Sequence, residues 1–327
     1  MNISIRFRVF IYPLVTFRAR SPRRTLVGVA RAKVRRSSRN SDLILYTHNS
    51  KTMTPRISFH KIVISGHIVE AFQYAKPIGY NLMASKNKTE YRKRRSIEEQ
   101  EITKSSLSRT KNSLIRLINA NARMWCLDGL VAQPQFLTYT FQENVTDVSV
   151  ANPIFTNYIK RLNYRIHRST TSEIKYVVVP EFQKRGAVHY HAVFFNLPMI
   201  NAKKEFNTGE AASLWGQGFI KKKDINEIPN VGLYMTKYMT KEATDRRLVG
   251  KKKYFSSRGL IKPVVITHQH LAEEIGDFLG DFKPIHAYIT KPNEENFYTP
   301  ENPTFCATYN LTSDQLSALG SFYNLNV

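Results

Sequence analysis

Between Lys175 and Leu197 the chain has little freedom of structure. Two segments rich in β-branched and aromatic residues, Lys175 to Phe182 and Val188 to Leu197, flank Lys184-Arg185-Gly186. A three-residue hairpin loop with glycine in the left-handed position fits that tripeptide. The loop then fixes the register: Gln183 sits opposite Ala187, Glu181 opposite His189 and Val179 opposite His191. Residues i and i+2 of a strand share a face, so His189 and His191 project together while Tyr190 faces away. Glu181 joins the two histidines, its Cβ about 5 Å from that of His189. A one-residue slip would turn Glu181 away and leave Gln183 as the third group.

Two imidazoles and a carboxylate around one point form a candidate divalent-metal site with positions left for phosphate and water. Ligand softness alone admits zinc, manganese, iron or nickel. A single carboxylate beside a phosphate substrate suits Mg²⁺ or Mn²⁺, acting as Lewis acid and template. A bare His-x-His pair on an apolar strand is usually packing. Glu181, the basic loop and a second motif downstream weigh against that here.

The second motif is Tyr234-Met235-Thr236-Lys237-Tyr238-Met239-Thr240-Lys241. On a helix, Tyr234 and Tyr238 stand one above the other, with Lys237 and Lys241 repeating the spacing beside them. Tyrosine is a weak nucleophile at its ordinary pKa of about 10. A neighbouring cation favours the phenolate and stabilises charge on an attacked phosphate. Two such tyrosines allow one to hold a strand end while the other cuts again. The plain alternative is an amphipathic helix with packed aromatics and a solvated lysine face.

Charge says which phosphate is available. Lys and Arg number 49 against 25 acidic residues, a net charge of +24. A balance this basic marks phosphate partners through counterion release, though by itself it does not separate DNA, RNA and an anionic membrane. No run of eighteen apolar residues is present, so no transmembrane helix is read. Cys126 and Cys306 are the two cysteines, too few for a disulfide framework or a zinc module. No GxxxxGK[ST] phosphate loop occurs, so no built-in helicase or ATPase is read.

Three segments are expected. Residues 1–52 hold twelve Lys/Arg and one acid, Asp42. That composition reads as a basic, disordered extension. It suits a nucleic-acid-binding arm, a transit peptide or an upstream extension of the reading frame, and the onset of patterning after Met53 favours the last. Residues 53–268 form the main domain and 269–327 an accessory segment. Within them, Ile57 to Tyr74 reads as a hairpin about Gly66, and residues 85–111 as a charged linker entering a helix. Further helices are expected at Leu107 to Asn121, Pro153 to Arg165, Asn230 to Thr244 and Leu271 to Phe278, with a strand at Phe136 to Phe141 and a Pro/Asn-rich tail at the end. Lys184 and Arg185 are candidate DNA-backbone contacts. Lys221 to Lys223 and Lys251 to Lys253 read as general phosphate-attracting surface. Tyr254 and Phe255 read as buried strand aromatics rather than base-stacking groups.

Phe136-Leu137-Thr138-Tyr139-Thr140-Phe141, then Glu181 with His189-Tyr190-His191, then Tyr234 to Lys241, resemble the three ordered motifs of rolling-circle replication initiators. These are the HUH endonucleases of single-stranded DNA phages and small plasmids, here in the two-tyrosine form of microvirus and filamentous-phage-like initiators. The resemblance spans roughly residues 55–265. It implies an α+β fold with a central antiparallel sheet of about five strands flanked by helices. It implies His189, His191 and Glu181 as metal ligands, Tyr234 and Tyr238 as nucleophiles, and Lys237 and Lys241 as their partners. It also implies nicking of single-stranded origin DNA in the cytoplasm of a bacterial host, with a host helicase and DNA polymerase as partners. The basic segment 1–52 has no counterpart in that pattern. The alternatives are a relaxase or single-strand transposase with the same chemistry, and a non-catalytic basic nucleic-acid-binding protein.

Overall fold

Gly186 anchors the central sheet. Its φ of +89° lies in the region glycine adopts without strain. The loop closes as Gly186 N–H donates to the Gln183 carbonyl (2.8 Å) and Gln183 N–H to the Ala187 carbonyl (2.9 Å). The structure, a computed structural model, describes residues 56–80, 104–127, 129–198, 209–240, 246–248, 251–290 and 302–323. The extension 1–52, Met53, most of the expected charged linker and Lys241 lie outside the described residues.

The strands are β1 Arg56–Ser65, β2 Ile68–Tyr80, β3 Cys126–Leu127, β4 Leu130–Val131, β5 Gln135–Phe141, β6 Tyr176–Phe182, β7 Val188–Phe194, β8 Gly218–Lys223, β9 Phe255–Ser256, β10 Val264–Ile266, β11 His286–Ile289 and β12 Thr304–Asn310. The helices are α1 Lys104–Asn119, α2 Val148–His167, α3 Glu210–Trp215, α4 Val231–Thr240, α5 Gln269–Gly280 and α6 Ser313–Tyr323. The protein is thus α+β. Its central sheet has five antiparallel strands in the order β8-β5-β7-β6-β9.

Both faces of that sheet are covered, which is why β6 and β7 read as nearly continuous apolar runs rather than alternating ones. On one face Tyr139, Tyr190 and Phe194 pack with Phe155 and Tyr158 of α2 and Trp215 of α3. On the other, Phe136, Val177, Val179 and Val193 pack with Leu114 and Ile118 of α1 and with Val231, Met235 and Met239 of α4. Phe255 meets Phe155 and Tyr190 edge-on, as expected of a packing aromatic. Helix α2 begins earlier than Pro153 because Asp147 caps it, its carboxylate accepting from Ser149 N–H at 2.8 Å.

A second five-stranded sheet, β10-β1-β2-β12-β11, was not expected as such. The hairpin about Gly66 forms, but β2 runs on to Tyr80. Its free edge is filled by β12, with Phe305 opposite Gln73 and Ala307 opposite Ala71. Helices α5 and α6 cover the apolar face made by Ile62, Ile64 and Val69. The expected division at residues 268/269 therefore runs through this sheet. The physical reason is the hairpin itself: two strands alone leave an open edge and an uncovered apolar face.

Helix α1 sits between the second sheet and α4. Arg116 donates to the Glu70 carboxylate at 2.6 and 3.1 Å. At its C-terminal end the Asn119 side chain accepts from Gly232 N–H (2.8 Å) and donates to Asn230 Oδ1 (2.9 Å). Gly232 is the contact that admits α4: a Cβ there would lie 2.3 Å from the Ile115 carbonyl oxygen. Gly232→Ala is expected to destabilise the fold by about 1–3 kcal/mol through overpacking, read as a lower urea midpoint. An unchanged midpoint would mean that the α1–α4 contact yields without cost.

Candidate metal and tyrosine site

The hairpin register is the expected one: Glu181 pairs with His189 and Val179 with His191. β5 adds a third strand, with Thr140 opposite His189 and Thr138 opposite His191. Directly opposed residues share a face, so Thr140, His189 and Glu181 form one row and Thr138, His191 and Val179 the next. Tyr190 faces the opposite way, fully buried, its hydroxyl donating to Asn152 Oδ1 at 2.6 Å.

Glu181, His189 and His191 present ligand atoms that all lie within 4.8 Å of one another. Among the described residues this is the cluster of His, Cys, Asp and Glu side chains able to hold a metal ion. His191 is bracketed: Nδ1 meets Thr138 Oγ1 at 3.1 Å, and Nε2 donates to Glu181 Oε2 at 2.5 Å. His189 Nε2 meets Thr140 Oγ1 at 2.5 Å and the Gln183 amide nitrogen at 3.1 Å. Arg185 Nε donates to Gln183 Oε1 at 3.1 Å. That contact turns the amide oxygen of Gln183 toward the guanidinium and its NH₂ toward the imidazole. An amide NH₂ only donates, so His189 Nε2 carries a lone pair there. Burial, with His191 adjacent and Arg185 nearby, pushes the His189 pKa down to about 4 against the opposing pull of Glu181. A neutral imidazole with a free lone pair beside a carboxylate is the form a divalent cation requires.

The tyrosine helix docks against this row. The Tyr238 ring stacks on His191 with centroids 3.9 Å apart. Phe136 stacks on both His191 (5.7 Å) and Tyr238 (5.3 Å) and meets Tyr234 edge-on at 5.6 Å. The two phenol oxygens are 3.1 Å apart. Lys237 Nζ lies 3.6 Å from the Tyr234 ring centroid and 4.8 Å from that of Tyr238, and Lys223 Nζ of β8 lies 5.3 Å from Tyr234. These surroundings separate the phenols. Burial opposes ionisation of Tyr234, but the hydrogen bond with Tyr238 and the Lys237 and Lys223 ammoniums outweigh it and hold its pKa below the ordinary tyrosine value. Burial raises Tyr238, and its bond to Tyr234 and the Glu181 charge raise it further. Tyr238 is therefore the donor of the pair and Tyr234 the acceptor.

The structure brings together six of the expected residues: His189, His191, Glu181, Tyr234, Tyr238 and Lys237. Lys184 and Arg185 line a groove of about 810 Å³ beside Glu181 and Gln183. Arg185 is occupied in holding the hairpin loop to the end of β5: its guanidinium donates to the carbonyls of Phe141 (2.5 Å) and Gln142 (3.2 Å). Sequence reasoning did not assign Phe136, Thr138, Thr140 and Lys223 to the site. The first three alternate at period two along β5, which is a signal of one shared face. Their pairing with β7 is long-range and leaves no local trace.

An antiparallel sheet with a His-x-His and carboxylate cluster, facing a helix that carries two tyrosines, defines a class of site suited to phosphate chemistry. The comparisons agree with that class. The family model for replication-associated protein ORF2 matches residues 134–243, the stretch from just before β5 to just beyond α4. The match supports a replication initiator. No curated protein and no solved structure matches the chain.

His189 is expected to titrate in the folded chain with a midpoint near pH 4, against about 6.5 when unfolded, followed by NMR of the imidazole nitrogens. The fold favours the neutral ring. Its contribution to stability is therefore complete above about pH 6.5 and lost as pH falls toward 4. A folded-state midpoint near the unfolded value would contradict the enclosed, lone-pair-bearing imidazole.

Proposed function

We propose that this protein is a site-specific single-strand DNA endonuclease and strand-joining enzyme that initiates rolling-circle replication through a 5′-phosphotyrosine. The observation that carries the reading is the stack of Tyr238 on His191. It brings a pair of hydrogen-bonded phenols against two imidazoles and a carboxylate, within the stretch that matches the replication-associated model.

In this reading the phenol oxygen of one tyrosine forms a bond to the scissile phosphorus as the bond to the 3′ oxygen breaks. The phenol proton passes to solvent and the departing 3′ oxygen takes one up. One phosphodiester is exchanged for another, so no nucleotide cofactor is consumed. The free 3′-OH serves a polymerase, and its attack on the phosphotyrosine reverses the step and rejoins a strand. Tyr234 is the phenol best disposed to ionise, because Lys237 and Lys223 offset its burial and Tyr238 donates to it. Lys237, placed over both rings, serves either nucleophile. Lys241 is proposed for the same role on the strength of its spacing. His189, His191 and Glu181 would hold the cation, for which we propose Mg²⁺ or Mn²⁺. When bound, it supplies Lewis-acid polarisation of the phosphate. Thr138 orients His191 from the far side of its ring. Single-stranded origin DNA, a host helicase and a host DNA polymerase are the proposed partners, and a bacterial host cytoplasm the proposed setting. Among the described residues no helix is long and apolar enough to cross a membrane.

The full chain is to be incubated with labelled single-stranded origin DNA and Mg²⁺ or Mn²⁺, then resolved on a denaturing gel. A covalent protein–DNA band is expected. It should vanish with EDTA, with His189→Ala and with Tyr234→Phe/Tyr238→Phe together. Thr138→Val should raise the Mn²⁺ concentration needed by about 10–100-fold, the usual cost of losing a partner that orients a metal-binding histidine. Absence of the band with either metal, alongside intact salt-sensitive binding, would leave a non-catalytic DNA-binding protein.

A further inference from the structure

The row through the site does not end at Thr140. β8, the outer strand beyond β5, places Phe219 opposite Thr140 and Lys221 opposite Thr138. Phe219, Thr140, His189 and Glu181 thus form one continuous line across the sheet, each directly opposite the next. Along β8 the alternate residues Phe219, Lys221 and Lys223 share this face and are exposed, while Ile220 between them is buried in the core behind. The Phe219 ring is 73% exposed and forms one wall of the 810 Å³ groove whose other walls include Glu181, Gln183 and Lys184. That volume lies in the range that encloses a small organic ligand, about 300–1,000 Å³. Lys223, at the far end of the stripe, reaches the Tyr234 ring.

We propose that β8 is the track for the unpaired strand, with Phe219 stacking on the base next to the scissile phosphate and Lys221 and Lys223 meeting successive backbone phosphates on the way to Tyr234. The inference rests on the nickase reading and names how its substrate lies. Two residues of strand advance about 6.7 Å, a step comparable to one nucleotide of an extended single strand. An aromatic followed by cations at that step is what sequence-tolerant single-strand binding needs, since every base has a face to stack and every linkage a charge. The occupant is chosen by charge: the stripe and the groove carry Lys221, Lys223 and Lys184, which suit a polyanion. Lysines on an outer strand also discourage pairing with a second protein chain.

The test is fluorescence anisotropy of a labelled dT12 oligonucleotide with the full chain in EDTA, where binding is read apart from cleavage. Phe219 is exposed, so its replacement leaves the core intact. Phe219→Ala is expected to weaken binding about 5- to 150-fold, the range for loss of one base–aromatic stack. Phe219→Trp should restore it and Phe219→Leu should not. Lys221→Ala should lower the slope of log affinity against log salt by about 0.7, the loss of one phosphate contact on a single strand, while Phe219→Ala leaves that slope unchanged. Wild-type affinity in Phe219→Ala would overturn the proposal, and so would rescue by leucine together with a change of oligomeric state by sedimentation, which would make β8 a protein interface. If Phe219→Ala leaves both dT12 affinity and the covalent adduct intact, the track falls and the nickase stands. If no adduct forms on origin DNA but dT12 binding depends on Phe219, the nickase falls and the track stands.

Discussion

The period-two register of β5, β7 and β6 is the constraint on which everything else depends. It places Thr140, His189 and Glu181 in one row and Thr138 and His191 in the next, while Tyr139 and Tyr190 go to the opposite face. A one-residue slip would exchange the two sets. The imidazoles and the carboxylate would then lie among Phe155, Tyr158 and Trp215, and polar groups buried there without partners are costly. The apolar face therefore enforces the polar one. Gly186 starts the register by accepting the left-handed turn, and the two-sided core holds it.

The aromatic stack joins the metal-ligand cluster to the tyrosine helix. Phe136 touches His191, Tyr234 and Tyr238 at once, so the imidazole and both phenols are positioned against one rigid ring. Met235 and Met239 on the neighbouring face of α4 are buried, which fixes the rotation of the helix and with it the direction of the phenols. Burial of these groups carries an electrostatic cost for any phenolate. Lys237 and Lys223 offset that cost for Tyr234 and not for Tyr238, which faces Glu181 instead. Two chemically identical side chains thus meet different fields four residues apart.

What could be read from the sequence follows the range of the interactions. The β6–β7 hairpin was legible to the residue because its loop chemistry is local: Gly186 fixes the turn, the turn fixes Glu181 opposite His189. The tyrosine helix was legible from its spacing. The partners were not: Glu181 bonds the diagonal His191, and Gln183, expected only as a substitute, contacts His189. Those choices depend on Arg185 and on β5, both set by tertiary contacts. β8 was read as a lysine run because its solvent-facing cations hide the strand; the single buried Ile220 is too little pattern. The terminal region was taken for a tail although it carries local signals. Phe305 to Tyr309 is a β-rich run, and Thr312 and Gln315 form a reciprocal cap, the Gln315 side chain accepting from Thr312 N–H at 2.8 Å.

That terminal region bears on the site through α1. The β1–β2 hairpin is completed by β12 and covered by α5 and α6. Its Glu70 holds Arg116 of α1, and a Cβ at Gly66 would lie 2.5 Å from the carbonyl oxygen of Asn119. The side chain of Asn119 in turn holds the first turn of α4. Residues from both ends of the described chain therefore fix the end of the helix whose other face presents Tyr234 and Tyr238. A phenol meant to attack a phosphate must be held within a fraction of an ångström of its line of approach. A ten-residue helix has little stability of its own. The second sheet supplies, by way of α1, a rigid support that the local sequence of α4 cannot.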